Sequence, residues 1–149
     1  MIARLADRAL NRRAHRAPPA VRPEVAAFHE ALPVVDLVVG TVLFRRRVDR
    51  RLGHGHFDLP RARAGGLDVA GFTVATGFPD VRGTLSRPHF AALGVDPRGR
   101  APIELAEAFV RRVEGWAAAS GGRLVLARTP ADLAAVGTDG ALRAFLGVQ

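Results

Sequence analysis

His54-Gly55-His56, with Asp58 two residues further on, brings metal-ligating side chains together in this sequence. Two imidazoles and a carboxylate at that spacing could contribute to a divalent-metal centre, which needs three or four ligands on a rigid support. Here the histidines follow an arginine-rich stretch and a glycine, with no strand to hold them. His54, His56 and Asp58 therefore stand as metal candidates without a scaffold. Other reactive side chains are scattered. His15, His29 and His89 read as surface or packing residues, and Ser86 and Ser120 lack the strand-turn-helix glycine context of a nucleophile. Glu104, Glu107 and Glu114 share a helical segment and read as its solvated face. No G-x-G-x-x-G or phosphate-binding P-loop is present, and no side chain is assigned a catalytic role on these grounds.

Arg45, Arg46, Arg47, Arg50 and Arg51 could contact phosphates. No aromatic residue is interleaved with them beyond Phe44, and no nucleic-acid motif surrounds them, so they read as a solvated loop and no nucleic-acid partner is expected. The net charge of +8 comes from 22 basic and 14 acidic residues. Every basic residue is arginine, in a chain also rich in alanine, glycine and proline, as a GC-rich coding bias produces. Charge of that origin bears on solubility more than on a partner. The chain has no cysteine, hence no disulfide framework and no thiolate metal site. No apolar run reaches the ~20 residues of a membrane span, and Arg4, Asp7, Arg8, Arg12 and Arg13 interrupt any secretory signal, so a cytoplasmic location is the default.

With 149 residues and 48% hydrophobic content, one ordinary domain is expected. Residues 1–32 read as a basic helical segment: an amphipathic helix over Met1–Arg16, ended by Pro18-Pro19, then a short helix over Pro23–Leu32 with Pro23 in its first turn. The domain proper, 33–149, opens on PVVDLVVGTVLF (Pro33–Phe44). All of that run is apolar or glycine except Asp36 and Thr41, and it reads as a strand buried on both faces. Asp58 caps a brief helix that has Pro60 in its first turn and is stopped by Gly65-Gly66. Leu67–Thr76 reads as a second buried strand, and Gly77–Gly99 as an irregular excursion. Pro102–Ala119 is a helix whose apolar side carries Ile103, Leu105, Ala106, Phe109, Val110, Val113 and Trp116. Arg123–Ala127 is a short extended piece, Thr129-Pro130 starts another helix, Gly137–Gly140 is a turn, and Leu142–Val148 is a third strand. This alternation predicts an α/β fold built of βα units, with function at the strands' C-terminal ends.

The order of segments resembles the N-terminal part of the renal (membrane) dipeptidase family of zinc peptidases. The resemblance rests on DRALNRRAHRAPP, FHEALPVVDL, GHFDLPRARAGGLDVAGFTVAT, the helix near Ala101–Ala119, and TPADLAAV leading into AFLGVQ, in order and over nearly the whole chain. It implies a (β/α)8 TIM-type barrel, two zinc ions at the C-terminal face, and dipeptide hydrolysis. In that family the first strand ends in D-x-H-x-D-T, whose His and Asp bind metal, and the third ends in a Glu that bridges both zincs. Here Val38, Gly40 and Gln149 occupy the three positions. Valine has no lone pair to offer, glycine has no side chain, and a neutral amide cannot balance two divalent cations as a carboxylate does. The expectation is a partial barrel of about three of the eight βα units, holding no zinc, inactive as a peptidase, and acting as a homo-oligomer or with a chain that supplies the missing strands. A non-catalytic binding or assembly module is the alternative, and a basic nucleic-acid-associated protein a third reading.

Overall fold

The computed structural model describes residues 5, 9, 19–40, 47–52, 55–74, 94, 96 and 101–148. In chain order these form α1 (Pro23–Glu30), β1 (Val35–Val39), α2 (Leu59–Ala64), β2 (Val69–Val74), α3 (Pro102–Ala119), β3 (Leu124–Leu126), α4 (Pro130–Leu133) and β4 (Leu142–Val148). The expected N-terminal helix over Met1–Arg16, apart from Leu5 and Ala9, lies outside the described residues, as does nearly all of the Gly77–Gly99 excursion.

All four helices have proline in the first turn, and a carboxylate caps the start of α2, α3 and α4. Asp58 precedes α2 and accepts the Arg61 N–H. Asp132 and Thr129 cap the start of α4, and α3 begins at Pro102, with Glu104 reaching back to the Ala101 N–H at 2.9 Å. Glycine ends them. Gly66, Gly121 and Gly122 all have positive φ, as helix exits demand.

The four strands are all parallel and pair in the order β1-β2-β4-β3. Arg123–Ala127 is thus a true fourth strand at an edge, while the three strands read from the sequence are consecutive neighbours. Alternation gives the sheet two faces. On one, Ala70, Phe72 and Val74 of β2, Leu142 and Ala144 of β4, Leu124 of β3 and Val39 of β1 join Leu59 and Ala62 of α2 and Phe109 and Val113 of α3 in a single apolar core. Phe72 sits at its centre, edge-on to Phe57 (centroids 5.4 Å apart) and to Trp116 (5.8 Å). On the other face Arg143 hydrogen-bonds to carbonyls of Asp132 and Ala135, which places α4 there. The opposite placement of α3 and α4 follows from handedness. The chain moves outward from β2 to β3 and then back to β4, and both crossovers can be right-handed only on opposite faces.

β2 is buried along its whole length, as expected. β1 is not: only Val39 is buried, and Leu37 and Val38 are 66% and 64% exposed. The difference has a topological cause: among the described residues β1 is an edge strand, paired only to β2. β4 is buried over its first three residues and opens toward Val148. Ile103 also departs from the apolar side expected for it, at 64% exposed in the first turn of α3.

β1 carries a bulge. Asp36 faces Ala70 and Val39 faces Phe72, so Leu37 and Val38 together oppose Gly71. A Cβ on Gly71 would fall on the Leu37 carbonyl oxygen and lie 2.6 Å from Cζ of Phe145, its cross-strand neighbour on β4. Only glycine leaves room for both the bulged backbone and the ring. Gly71→Ala is expected to cost about 2–3 kcal/mol, read as a lower urea midpoint. A variant as stable as the parent would show that the bulge can straighten freely.

Candidate functional site

In parallel α/β sheets chemistry sits beyond the strands' C-terminal ends. Here those ends are Val39-Gly40, Val74, Leu126-Ala127 and Val148. Side chains at this edge are mostly inert. Val38 projects into solvent, and its N–H is held by Asp36 Oδ1 at 3.0 Å. A Cβ on Gly40 would meet nothing within 4 Å, so the position is open, with no group in it. Thr73 Oγ1 is committed to the Gly71 carbonyl at 3.2 Å. Gln149 lies outside the described residues, immediately after β4.

His54 lies outside the described residues, His56 is exposed, and Asp58 is fully buried. Both Asp58 oxygens are engaged: Oδ1 accepts the Arg61 N–H at 2.8 Å, and Oδ2 accepts the Leu52 N–H at 3.1 Å and pairs with Arg61 Nη1 at 3.2 Å. Arg61 in turn donates to the carbonyls of Gly55 and Leu52 at 2.7 and 2.6 Å. The D-L-P-R motif is therefore a loop anchor, in which a buried carboxylate and a guanidinium together tie Leu52 and Gly55 to the start of α2. Among the described residues, no group of three His, Cys, Asp or Glu side chains could hold a metal ion.

The remaining candidates have structural posts. His29 packs over Gly66, where a Cβ would lie 2.8 Å from its Cε1. Buried Ser120 donates to the Ala117 carbonyl and accepts the Leu124 N–H at 3.0 Å, joining the end of α3 to β3. Glu107 and Glu114 pair with Arg111 and Arg128 on the surface. In the arginine cluster Arg47 binds Asp49 through two hydrogen bonds, which hold the Asp49 carboxyl below its ordinary range, while Arg50 and Arg51 are exposed. His15, Arg45, Arg46, Ser86 and His89 lie outside the described residues.

Two features escaped the sequence reading. One is Arg143, 4% exposed in the middle of a strand. It grips Asp139 through Nη1–Oδ1 (3.0 Å) and Nη2–Oδ2 (2.8 Å) and donates from Nε to the Asp132 carbonyl (3.1 Å). A charge inside the otherwise apolar run LRAFLGV was its only signal. The other is a cavity of about 600 Å³ at the opposite, N-terminal end of the sheet, between α2 and the 137–142 turn. Its lining comes from residues far apart in sequence, so no local pattern announces it.

No family model matches the chain, and no curated protein matches it.

The Arg143 grip gives a defined pH response. Hydrogen bonds from Arg143, and then from the Ala141 N–H, lower Asp139 from 3.8 to about 2. A carboxylate depressed on folding contributes stability that is complete above its unfolded value and is lost as pH falls from 3.8 through about 2. Asp132 is lowered too, through the N–H groups of Arg128 and Thr129, and acts in the same direction. Urea midpoints across that window should fall with pH, and Asp139→Asn should flatten part of the slope. Identical slopes in the two proteins would remove Asp139 from the account.

Proposed function

We infer that the chain corresponds to the first βα units of a dipeptidase-like barrel from which the metal-binding side chains of those units are missing, and that it does not hydrolyse dipeptides by itself. The observation that carries this reading is the unit β1-α2-β2, two parallel neighbours joined through a helix as in a (β/α)8 barrel. β4 is parallel on the far side of β2, and α3 lies on the same face as α2. β3 and α4 intervene between β2 and β4 in the chain and depart from regular barrel order. The resemblance assigns metal ligands to the C-terminal ends of the first and third such strands, and Val38 and Gly40 stand at the first of them without a donor atom between them. Lacking metal, the edge has nothing to lower the pKa of a water nucleophile.

Two measurements test it together. After dialysis, elemental analysis should find no stoichiometric zinc, and dipeptide turnover should equal the buffer blank. Val38→His with Gly40→Asp and Gln149→Glu should fold normally, because Val38 is exposed and Gly40 has open space around it. It should still be inactive, since the family's other ligands come from later strands. Two tightly bound zincs in the parent protein, or hydrolysis by the triple variant above a metal-free control, would overturn the assignment.

A second reading, an assembly module, is favoured by β1. Among the described residues its outer edge is unpaired, and Val35, Leu37 and Val38 are exposed on it. Natural proteins usually protect such an edge with charge, a bulge or a covering element. Here the bulge is present and Asp36 is the only charge on the strand. Light scattering should report a species larger than the monomer, and Leu37→Lys should shift it toward the monomer. A parent protein that is monomeric and unfolds in one cooperative step at high temperature would rule this reading out.

A further inference from the structure

We propose that the cavity at the N-terminal end of the sheet binds a small monocarboxylate that has an apolar body and a hydrogen-bond donor beside its carboxylate. The cavity holds about 600 Å³, within the usual range for small-molecule sites. Leu59, Leu67 and Leu142 supply an apolar lining, and three charged residues, Arg63, Arg123 and Asp68, also line it.

The two arginines have donors to spare. Arg63 is exposed, and its side chain makes no hydrogen bond or ion pair among the described residues. Its Nη2 lies 3.4 Å from where a Cβ on Gly140 would stand, so the side chain reaches from α2 to the turn before β4. Arg123 uses only Nε, which donates to the Ser120 carbonyl at 2.7 Å, and its terminal nitrogens are unengaged among the described residues. Guanidinium groups with free N–H pairs match carboxylates and phosphates.

Asp68 decides between those anions. Its Oδ2 accepts the Val34 N–H at 2.8 Å, while Oδ1 has no partner among the described residues. A phosphate dianion would be repelled by this carboxylate. A monocarboxylate with an adjacent hydroxyl or ammonium would place its negative end on the arginines and its donor on Oδ1, leaving the apolar body to the leucines. The turn glycines permit a close approach: Gly137 and Gly140 both have positive φ and carry no side chain into the space.

The test uses the whole chain, with 3-phenyllactate as probe and 3-phenylpropanoate (the same acid without its hydroxyl) and inorganic phosphate as comparators. Titrations followed by amide NMR should give saturable shifts for Gly66, Leu67, Gly140 and Leu142 with phenyllactate, about threefold weaker binding of phenylpropanoate, and weaker binding still of phosphate. Arg63→Gln and Arg123→Gln should each weaken phenyllactate by about tenfold. Arg111→Gln, on the solvated face of α3, should leave it unchanged. Asp68→Asn should keep an oxygen for Val34 while reducing the preference for phenyllactate over phenylpropanoate. The proposal falls if phosphate binds as well as phenyllactate, if Arg63→Gln and Arg123→Gln bind like the parent, or if no shift saturates by about 10 mM.

Discussion

Every part of this fold is arranged around covering β2. A parallel strand inside a sheet must hydrogen-bond along both edges and bury both faces, because its crossover connections leave no room for a wet side. β2 meets that demand over Val69–Val74, with β1 and β4 on its edges. One face is closed by α2, α3 and the edge-on ring cluster of Phe57, Phe72 and Trp116. The other is closed by the Phe145 ring and by the turn that Arg143 holds down. Removing Phe72 alone would forfeit about 3–5 kcal/mol, a large fraction of the stability of an ordinary domain.

The start of the sheet is fixed by polar contacts. Asp68 accepts the Val34 N–H with its carboxylate, its own N–H reaches the Val34 carbonyl at 3.0 Å, and its carbonyl receives the Arg143 N–H at 2.9 Å. One residue thus registers β1, β2 and β4 at the same end. Beyond it β1 departs from regular pairing at the Leu37-Val38 bulge, and the strand's outer face opens to solvent. Registration of β1 on β2 is tight where the cavity lies and irregular toward the C-terminal end of β1, while β2 and β4 stay in register to Val74 and Val148.

Charge is used locally. Asp58 with Arg61, and Asp139 with Arg143, each join a carboxylate to a guanidinium that also takes up backbone carbonyls of a neighbouring loop. Such pairs hold loops in place because each guanidinium offers several donors in a fixed plane. Much of the basic excess that the sequence displays lies instead on exposed side chains such as Arg50, Arg51, Arg63 and Arg123.

The local signals in the sequence were enough to place α3 at Pro102–Ala119, the Asp58 cap, the Gly65-Gly66 stop and the strand at Leu142–Val148, because each depends on periodicity, proline or capping within a few residues. They also sufficed for parallel β/α architecture. Tertiary structure alone decided that Pro33–Phe44 begins an exposed edge strand, since apolar content cannot distinguish a strand with two neighbours from one with a single neighbour. It alone placed the strand Leu124–Leu126 outside β4, engaged both oxygens of Asp58 in a loop anchor, and gathered Arg63, Asp68 and Arg123 around one cavity. Those outcomes depend on which distant segments meet, and spacing along the chain carries no information about that.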